Sequence, residues 1–229
     1  MSLPKKSLVM GKLFTRTPLF YCPIYRTRID PDSYDKEKII NDILYNKNLK
    51  NTRNDTHQIA GSSFSDIHHS HRDFDNEDFR SINYNKLVAL YNKIFGEFFN
   101  KELVTTQLFE FEFEIVNYLA ATEGQWLPLH NHIEYDFATV HYLNFKNNHN
   151  LTMFKNPAIF APYIKNIRPK MYNISNDKIL DNTYMYEWFE FPVKEDDIII
   201  FPAALDHEIP VQGPTKEPRI TISTNIRIK

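Results

Sequence analysis

The chain has 229 residues, a formal net charge of −2 and a single cysteine, Cys22. This length suits one domain with its own hydrophobic core, and the balanced charge argues against a protein that binds nucleic acid or an anionic membrane. A lone cysteine excludes an internal disulfide and favours a reducing compartment. No apolar run has the length of a signal peptide core or a membrane span. We therefore expect a soluble cytoplasmic protein, the cytoplasm of a phage-infected cell included, and leave a homodimer open.

The N-terminal segment predicts short strands followed by a helix. Residues 12–30 are expected to form one or two strands, interrupted by Pro18 and Pro23. A helix follows over about 33–48, because its isoleucines recur on one face, and Asp32 is a suitable N-cap.

A polar stretch and a second helix come next. Residues 50–80 lack any periodicity and predict a long loop. This stretch contains His68, His69 and His71, for which a solvated loop is favoured over metal binding, because no carboxylate stands beside them at strand spacing. Apolar side chains then repeat at helical spacing over about 83–100 and predict the second helix.

After residue 103 the apolar pattern becomes alternating, as in half-buried antiparallel strands. Phe109, Phe111 and Phe113 alternate with glutamates, and residues 219–228 alternate in the same way. Some eight strands with turn signals between them predict a barrel or jelly roll. The other strand candidates are 128–134, 137–145, 150–154, 167–174, 184–191, 197–202 and 205–211.

The fold class we expect is therefore mainly β with N-terminal helices (α+β), built on a cupin-like double-stranded β-helix. Residues 1–103 would form a supporting segment of strands and helices, with the polar loop at about 50–80. Residues 104–229 would form the catalytic core, and both parts would belong to one compact domain.

Three potential metal ligands stand at alternate positions of one predicted strand, namely His130, His132 and Glu134. Alternate residues of a strand share a face, so these side chains can meet one metal ion, with His207 arriving from a later strand. Two ligand sets stay open, because either His130 or Glu134 can accompany His132 and His207. A two-histidine, one-carboxylate set balances the charge of Fe(II) better. The alternative interpretation is a solvated polar strand face.

These segments resemble a family of 2-oxoglutarate- and Fe(II)-dependent oxygenases that is frequent in marine bacteria and their phages. The resemblance rests on His130-Asn131-His132 with the strand after it, Phe201-Pro202, Asp206-His207-Glu208, and Arg219-Ile220-Thr221-Ile222-Ser223. The ungapped correspondence favours His130 and His132 as the ligand pair. The sequence departs from the family pattern at two notable places. Ile133 replaces a proline after the second histidine, and Glu195-Asp196-Asp197 replaces Gly-Asp.

The resemblance also implies roles for residues around the metal. The co-substrate 2-oxoglutarate would chelate iron through its keto acid end, and its far carboxylate would meet Arg219, whose planar fork suits a bidentate pair. Thr221 would add a hydroxyl from the same face, and Tyr142 would lie against the co-substrate. Asn144 and Asn225 are weaker lining candidates.

The function implied is an Fe(II)- and 2-oxoglutarate-dependent dioxygenase that consumes O2. It would hydroxylate a small-molecule or peptide substrate while 2-oxoglutarate is decarboxylated to succinate and CO2. No catalytic side chain beyond the metal ligands is expected. Two rival functions are a non-redox cupin-type metalloprotein, either an isomerase or a sugar-binding module, and an inactive accessory viral protein. Neither rival requires Arg219.

Overall fold

The computed structural model describes residues 15–19, 22–49, 68–70, 77–102, 110–157 and 187–229. Within these ranges the helices are α1 (Lys36–Asn48) and α2 (Asn85–Glu102), and a 3-10 turn covers Pro31–Ser33. The strands are β1 (Thr15–Leu19), β2 (Cys22–Arg28), β3 (His68–His69), β4 (Phe111–Ala121), β5 (Leu127–His130), β6 (Phe137–Asn144), β7 (Met153–Lys155), β8 (Trp188–Glu190), β9 (Asp197–Pro202), β10 (His207–Ile209) and β11 (Arg219–Ile228). None of the helices in these ranges is long and apolar enough to cross a membrane.

The strands form two antiparallel sheets. The seven-stranded major sheet has the order β1-β2-β9-β6-β11-β4-β3, and the four-stranded minor sheet has the order β5-β10-β7-β8. Strands consecutive in sequence therefore often lie in opposite sheets, which is the arrangement of a jelly roll. The predicted fold class, mainly β with two helices, is confirmed.

The major sheet separates two apolar cores. Ile220, Ile222 and Ile226 on β11 pack with the helices, so the alternation of strand side chains turns Arg219 and Thr221 toward the space between the sheets. That space contains an aromatic and aliphatic core to which both sheets contribute. We call it the barrel interior, and it is where the candidate site lies.

The helix α1 begins later than the sequence predicts. The N-cap position belongs to Asp35, and no side chain caps the helix there. The expected cap, Asp32, is wrong, because the chain first makes the 3-10 turn. Within this turn the Asp30 carboxylate accepts a hydrogen bond from the Asp32 backbone N–H at 3.1 Å.

The two N-terminal prolines do not interrupt their strands. Pro18 of β1 and Pro23 of β2 are directly opposite each other in the antiparallel register. Antiparallel ladders contain pairs that exchange no backbone hydrogen bonds, and two residues without an N–H suit such a pair. The expected strand break is therefore wrong.

The structure also revises the polar stretch. His68 and His69 form β3, which pairs with β4 at the edge of the major sheet, so the solvated loop expected for them is wrong. An exposed strand edge presents unpaired backbone groups, and this short strand satisfies some of them on β4. His71, most of the predicted loop and the predicted strand at 167–174 lie outside the described residues.

The departure from the family pattern at Asp196 has a structural reason. Asp196 has a φ of 69°, in the left-handed region that favours glycine. Aspartate is among the few other residues that tolerate this region. Here its backbone N–H donates to the Tyr142 carbonyl at 2.8 Å, and its carboxylate pairs with the buried Lys36. The chain thus replaces a permissive residue with one that is held by an ion pair.

Candidate metal centre

His130 ends β5, and the two histidines of the His-x-His pair are not on one strand. The prediction of a strand through residue 134 is wrong for its second half. His132 instead begins a turn, in which its carbonyl accepts a hydrogen bond from the Tyr135 N–H at 2.9 Å. Its own N–H donates to the Ala203 carbonyl at 2.8 Å. These two bonds pull the chain out of the sheet immediately after His130.

Three histidines nevertheless meet at one point. His130 and His207 are directly opposite each other on β5 and β10, and their ring centroids are 4.3 Å apart. The His132 centroid is 5.3 Å from that of His130 and 5.4 Å from that of His207. One ring nitrogen from each histidine lies within 4.8 Å of the others. This spacing suits three ligands around a single metal ion.

The second ring nitrogen of two of these histidines is held by the backbone. The Nδ1 of His130 is 2.8 Å from the Pro128 carbonyl, and the Nδ1 of His207 is 2.9 Å from the Leu205 carbonyl. Because a carbonyl can only accept, Nδ1 carries the proton in both rings and Nε2 keeps a free lone pair. Histidines that bind metals are usually oriented by a hydrogen bond of this kind.

Burial keeps the three imidazoles neutral. It is the main cause of the lowered pKa of His207, which the neighbouring His130 lowers further. Burial, together with His130, also lowers the pKa of His132 to about 4, and burial lowers the pKa of His130. Only the neutral imidazole can bind a metal, so the site is in its ligating form at neutral pH.

Glu134 does not join this cluster. It lies in the turn after His132 and is exposed, and its carboxylate is not among the ligand atoms that meet. Its backbone carbonyl accepts a hydrogen bond from Arg227 at 3.2 Å. The geometry therefore favours the three-histidine set over the set that includes Glu134.

Arg219 lies fully buried in the barrel interior, with 0% of its surface exposed. One terminal nitrogen donates to the Thr152 hydroxyl at 2.9 Å, while Nε and the other terminal nitrogen have no hydrogen-bond partner. No carboxylate within the described ranges forms an ion pair with it. Burial lowers its pKa, and Tyr142 opposes that shift. A buried cation without a counter-ion is unfavourable, so this guanidinium is suited to receive an anionic ligand.

The residues expected beside Arg219 are mostly found there. Thr221 is opposite Tyr142 on β6, and its buried hydroxyl has no partner. The Tyr142 hydroxyl is 2.7 Å from the Thr152 hydroxyl. The Asn144 amide instead donates to the Pro218 carbonyl at 2.9 Å, so it fastens the chain just before β11.

Sequence reasoning missed two polar residues of the interior. Thr152 connects Arg219 with Tyr142, and Asn117 on β4 has a buried amide oxygen without a partner. Thr152 could have been found from its position two residues before Phe154, a core residue, because such residues share a face. Asn117 is opposite Ser223 in the register of β4 and β11, a pairing that only the folded structure reveals.

The donor set fits Fe(II) and 2-oxoglutarate. Three neutral imidazoles leave coordination positions open, as a metal ion that also binds a co-substrate requires. The orphaned nitrogens of Arg219 and the orphaned hydroxyl of Thr221 are donors for a carboxylate. The residues present are therefore compatible with both groups.

Comparison with known proteins agrees with this chemistry. Residues 117–225 match the family described as "Putative 2OG-Fe(II) oxygenase". No curated protein matches the sequence.

Several solved structures are similar. The viral collagen prolyl hydroxylase vCPH of Paramecium Bursaria Chlorella virus-1 is 12% identical with a TM-score of 0.48, over 96% of this chain and 98% of that one. A 2OG-Fe(II) oxygenase family oxidoreductase of Burkholderia pseudomallei is 11% identical with a TM-score of 0.41, over 65% of this chain and 61% of that one. A Pseudomonas putida prolyl-4-hydroxylase is 11% identical with a TM-score of 0.37, over 62% and 64% of the two chains.

The match thus covers less than two thirds of the Burkholderia and Pseudomonas proteins. Because all three TM-scores are below 0.5, the family match and the geometry of the site carry more weight than these likenesses. Residues 117–225 of this chain belong to the 2OG-Fe(II) oxygenase family, a class of dioxygenases that use Fe(II), 2-oxoglutarate and O2.

Proposed function

We propose that this protein is a hydroxylase in which His130, His132 and His207 hold Fe(II) and Arg219 holds 2-oxoglutarate. The reaction would insert oxygen into a C–H bond of a small-molecule or peptide substrate, while 2-oxoglutarate is decarboxylated to succinate and CO2. The observation that carries this proposal is the combination of three converging histidines with a buried arginine that has no counter-ion. We also propose the cytoplasmic location, and the division into residues 1–103 and 104–229, that the sequence predicts.

The residues of the chain have separate tasks in this proposal. The backbone carbonyls of Pro128 and Leu205 fix the tautomers of His130 and His207, so that Nε2 of each ring faces the metal. Bound Fe(II) would supply the oxidising chemistry, using O2 and the electrons that 2-oxoglutarate gives up on decarboxylation. No other side chain needs to transfer a proton.

Arg219 and its neighbours would orient the co-substrate. The guanidinium would pair with the far carboxylate of 2-oxoglutarate, and the hydroxyl of Thr221 would donate to the same group. Thr152 and Tyr142 hold the guanidinium in place, and Tyr142 and Phe145 lie 5.2 and 5.9 Å from its central carbon. These aromatic rings exclude water from the pair and so strengthen it.

The buried Arg219 favours an oxygenase over the cupin-type rival. A metalloprotein without an anionic co-substrate gains nothing from a buried, unpaired guanidinium, which is costly to fold around. The inactive viral protein would have no reason to keep the ligating tautomers of two histidines. Direct measurement of metal and co-substrate binding separates these functions.

The test is an anaerobic titration of the purified protein with Fe(II) and then with 2-oxoglutarate. A weak visible charge-transfer band should develop only when both are present. His207→Ala should abolish the band and stoichiometric Fe(II) binding, since it removes the most buried of the three ligands. Stoichiometric iron binding by the folded His207→Ala protein would disprove the site.

A second pair of variants decides between the two ligand sets. Glu134→Ala should leave Fe(II) binding and the band unchanged, because its carboxylate lies outside the cluster. His130→Ala should remove both. The reverse result would show that Glu134 is a ligand and that the three-histidine set is wrong.

A further inference from the structure

A cavity of about 330 Å³ opens at the end of β4 and β11 that is farther along the chain from Arg219. It is lined by Glu112, Phe113, Glu114, Tyr135, Asn225 and Arg227. Asn225 is opposite Glu114 in the strand register, and it is opposite Ala138 of the interior core on β6. Because paired residues share a face, the floor of this cavity continues the interior face that carries Arg219 and Thr221.

The cavity adjoins the candidate metal centre through one turn. Tyr135 lines the cavity, and His132 stands at the other end of the same hydrogen-bonded β-turn. The two ends of such a turn are less than about 7 Å apart at their Cα atoms. The next residue, Asp136, donates its N–H to the Ile226 carbonyl at 3.0 Å. This bond fixes the turn against the strand that carries Asn225.

The charges of the cavity leave one carboxylate without a cation. Glu112 is paired with Lys229 at 2.6 Å and lies 3.8 Å from Arg227. Arg227 also lies over the ring of Tyr135, with 4.9 Å between its central carbon and the ring centroid. Glu114 accepts a hydrogen bond from the Tyr135 hydroxyl but forms no ion pair with a described residue. The two glutamates and one arginine give the lining a net negative charge.

A second, independent feature requires a donor in the same cavity. Asn225 is only 4% exposed, and its amide oxygen has no hydrogen-bond partner. A buried acceptor without a donor costs about 1–3 kcal/mol. An N–H group of a bound ligand would remove this cost. An anionic ligand would offer no such donor and would be repelled by Glu114.

We propose that this cavity is the substrate subsite of the oxygenase and that it binds a primary ammonium group. The ammonium would donate to the Asn225 amide oxygen and to the Glu114 carboxylate. Its aliphatic stem would lie along Phe113 and Tyr135 and lead past the turn toward the histidines. A lysine side chain of a peptide and a free alkylamine share this chemistry. The inference rests on the function proposed above, because it assigns the cavity to the substrate of that reaction.

The test compares ammonium probes with uncharged probes of the same shape, by calorimetric titration of the metal-free protein. Nα-acetyl-lysine amide is compared with Nα-acetyl-norleucine amide, and n-pentylamine is compared with n-pentanol. The ammonium member of at least one pair should bind about ten-fold tighter or more, as a charge-assisted hydrogen bond predicts. Preference within the lysine pair alone identifies a peptide, and preference within the pentyl pair alone identifies a free amine. Equal binding within both pairs overturns the proposal.

Three variants locate the effect. Glu114→Gln should abolish the preference for ammonium, and its exposed position makes misfolding improbable as a cause. Asn225→Leu should weaken ammonium binding several-fold. Glu110→Gln is the matched control, because Glu110 is on the same strand face but outside the cavity, and it should retain the full preference. A preference that survives Glu114→Gln contradicts the assignment.

The metal-free format separates this inference from the proposed function. Ammonium binding that depends on Glu114, in a protein that shows no Fe(II)–2-oxoglutarate band, would refute the oxygenase and keep the cavity as an amine site. A band without any ammonium preference would have the opposite meaning. With both present, the preferred probe should accelerate 2-oxoglutarate consumption in the wild-type protein but not in Glu114→Gln.

Discussion

Two buried cations lie on opposite faces of the major sheet, and they are treated in opposite ways. Lys36, on the helix side, is 7% exposed, and its ammonium is 2.9 Å from Glu195 and also contacts Asp196. Arg219, in the barrel interior, is 0% exposed and has no carboxylate partner in the described part of the chain. Since a buried charge requires compensation, the chain compensates the first cation itself and leaves the second to a ligand.

The pKa values of the two side chains show the same contrast. Burial lowers the pKa of Lys36, but its hydrogen bonds and ion pairs with Asp196 and Glu195 outweigh that effect, so its pKa is raised. Burial lowers the pKa of Arg219, and the aromatic hydroxyl of Tyr142 does not fully offset it. The first cation therefore stabilises the fold, while the second is a binding group that the fold tolerates.

Removing the compensated cation should have the largest effect on stability. Lys36→Met leaves the carboxylate of Asp196 buried and without its main partner. Breaking a buried ion pair costs roughly 3–5 kcal/mol, and we expect about 3 kcal/mol because Glu195 keeps a second partner in Lys146. The loss should be measured as the change in free energy of unfolding in urea. Fe(II) and 2-oxoglutarate affinity should be unchanged in the folded variant.

Removing the uncompensated cation should affect binding instead. Arg219→Met should leave the unliganded protein as stable as the wild type or more stable, because an unpaired buried charge is lost. The affinity for 2-oxoglutarate should fall by roughly 2–5 kcal/mol, or about 30-fold to several thousand-fold. Calorimetry in the presence of metal measures this loss.

The controls for Arg219 use its shape as well as its charge. Arg219→Lys should restore only part of the affinity, because an ammonium cannot form the bidentate pair. Arg28→Met removes an arginine whose side chain is 62% exposed and should leave 2-oxoglutarate affinity intact. If Arg219→Met binds 2-oxoglutarate as the wild type does, the contrast between the two cations has no functional meaning.

Much of this architecture could be predicted from the sequence, and the rest depends on contacts between distant residues. The strands over 197–202 and 219–228 were predicted to the residue, because their side-chain patterns are long and unambiguous. The spacing of the histidines also identified the three that meet. The turn at His132 was not predicted, because it depends on a hydrogen bond to Ala203 on a distant segment.

Compensation of charge was the least predictable feature. Lys36 and Asp196 are far apart in sequence, and neither belongs to a motif that indicates an ion pair. Thr152 similarly supports Arg219 from a strand of three residues, which is too short to show a clear alternation. Sequence patterns report the face on which a side chain lies, but not the partner that it finds there.

A buried histidine on the helix side extends the comparison to pH. His141 is fully buried, its Nδ1 is 2.8 Å from the Tyr91 hydroxyl, and burial, with the charge of Lys36, lowers its pKa to about 3. Its pKa in the unfolded chain is about 6.5. Because the folded value is the lower one, the neutral form stabilises the fold above pH 6.5, and that stability is lost as the pH falls toward 3.

The loss attributable to His141 between pH 7 and pH 5 is about 2 kcal/mol. His141→Gln cannot be protonated, so its stability should fall by about that much less than the wild type over this range. Urea unfolding at the two pH values, with metal removed by a chelator, gives the difference. Identical pH dependence in the two proteins would show that His141 does not titrate between the folded and unfolded states.

The smallest predicted effect is also the closest comparison of the two faces. Thr221 and Thr224 are on the same strand, β11, each is about 1% exposed or less, and each has a hydroxyl without a partner. They differ in the face they occupy, because Thr224 is opposite Thr139 on the helix side and Thr221 is opposite Tyr142 in the interior. Valine has the same shape without the hydroxyl. Thr221→Val should therefore weaken 2-oxoglutarate binding by about 0.5–1.5 kcal/mol, the contribution of one hydrogen bond, or up to about ten-fold.

Thr224→Val should leave 2-oxoglutarate affinity unchanged, because its hydroxyl faces the helices and cannot reach the co-substrate. Neither valine should destabilise the unliganded protein, since each removes a buried polar group that has no partner. Calorimetric titration of both variants beside the wild type measures the difference. Equal affinities for all three would mean that Thr221 does not contact the co-substrate. Equal losses in both variants would mean that the two faces are coupled through the strand, and that the separation between a structural face and a binding face is wrong.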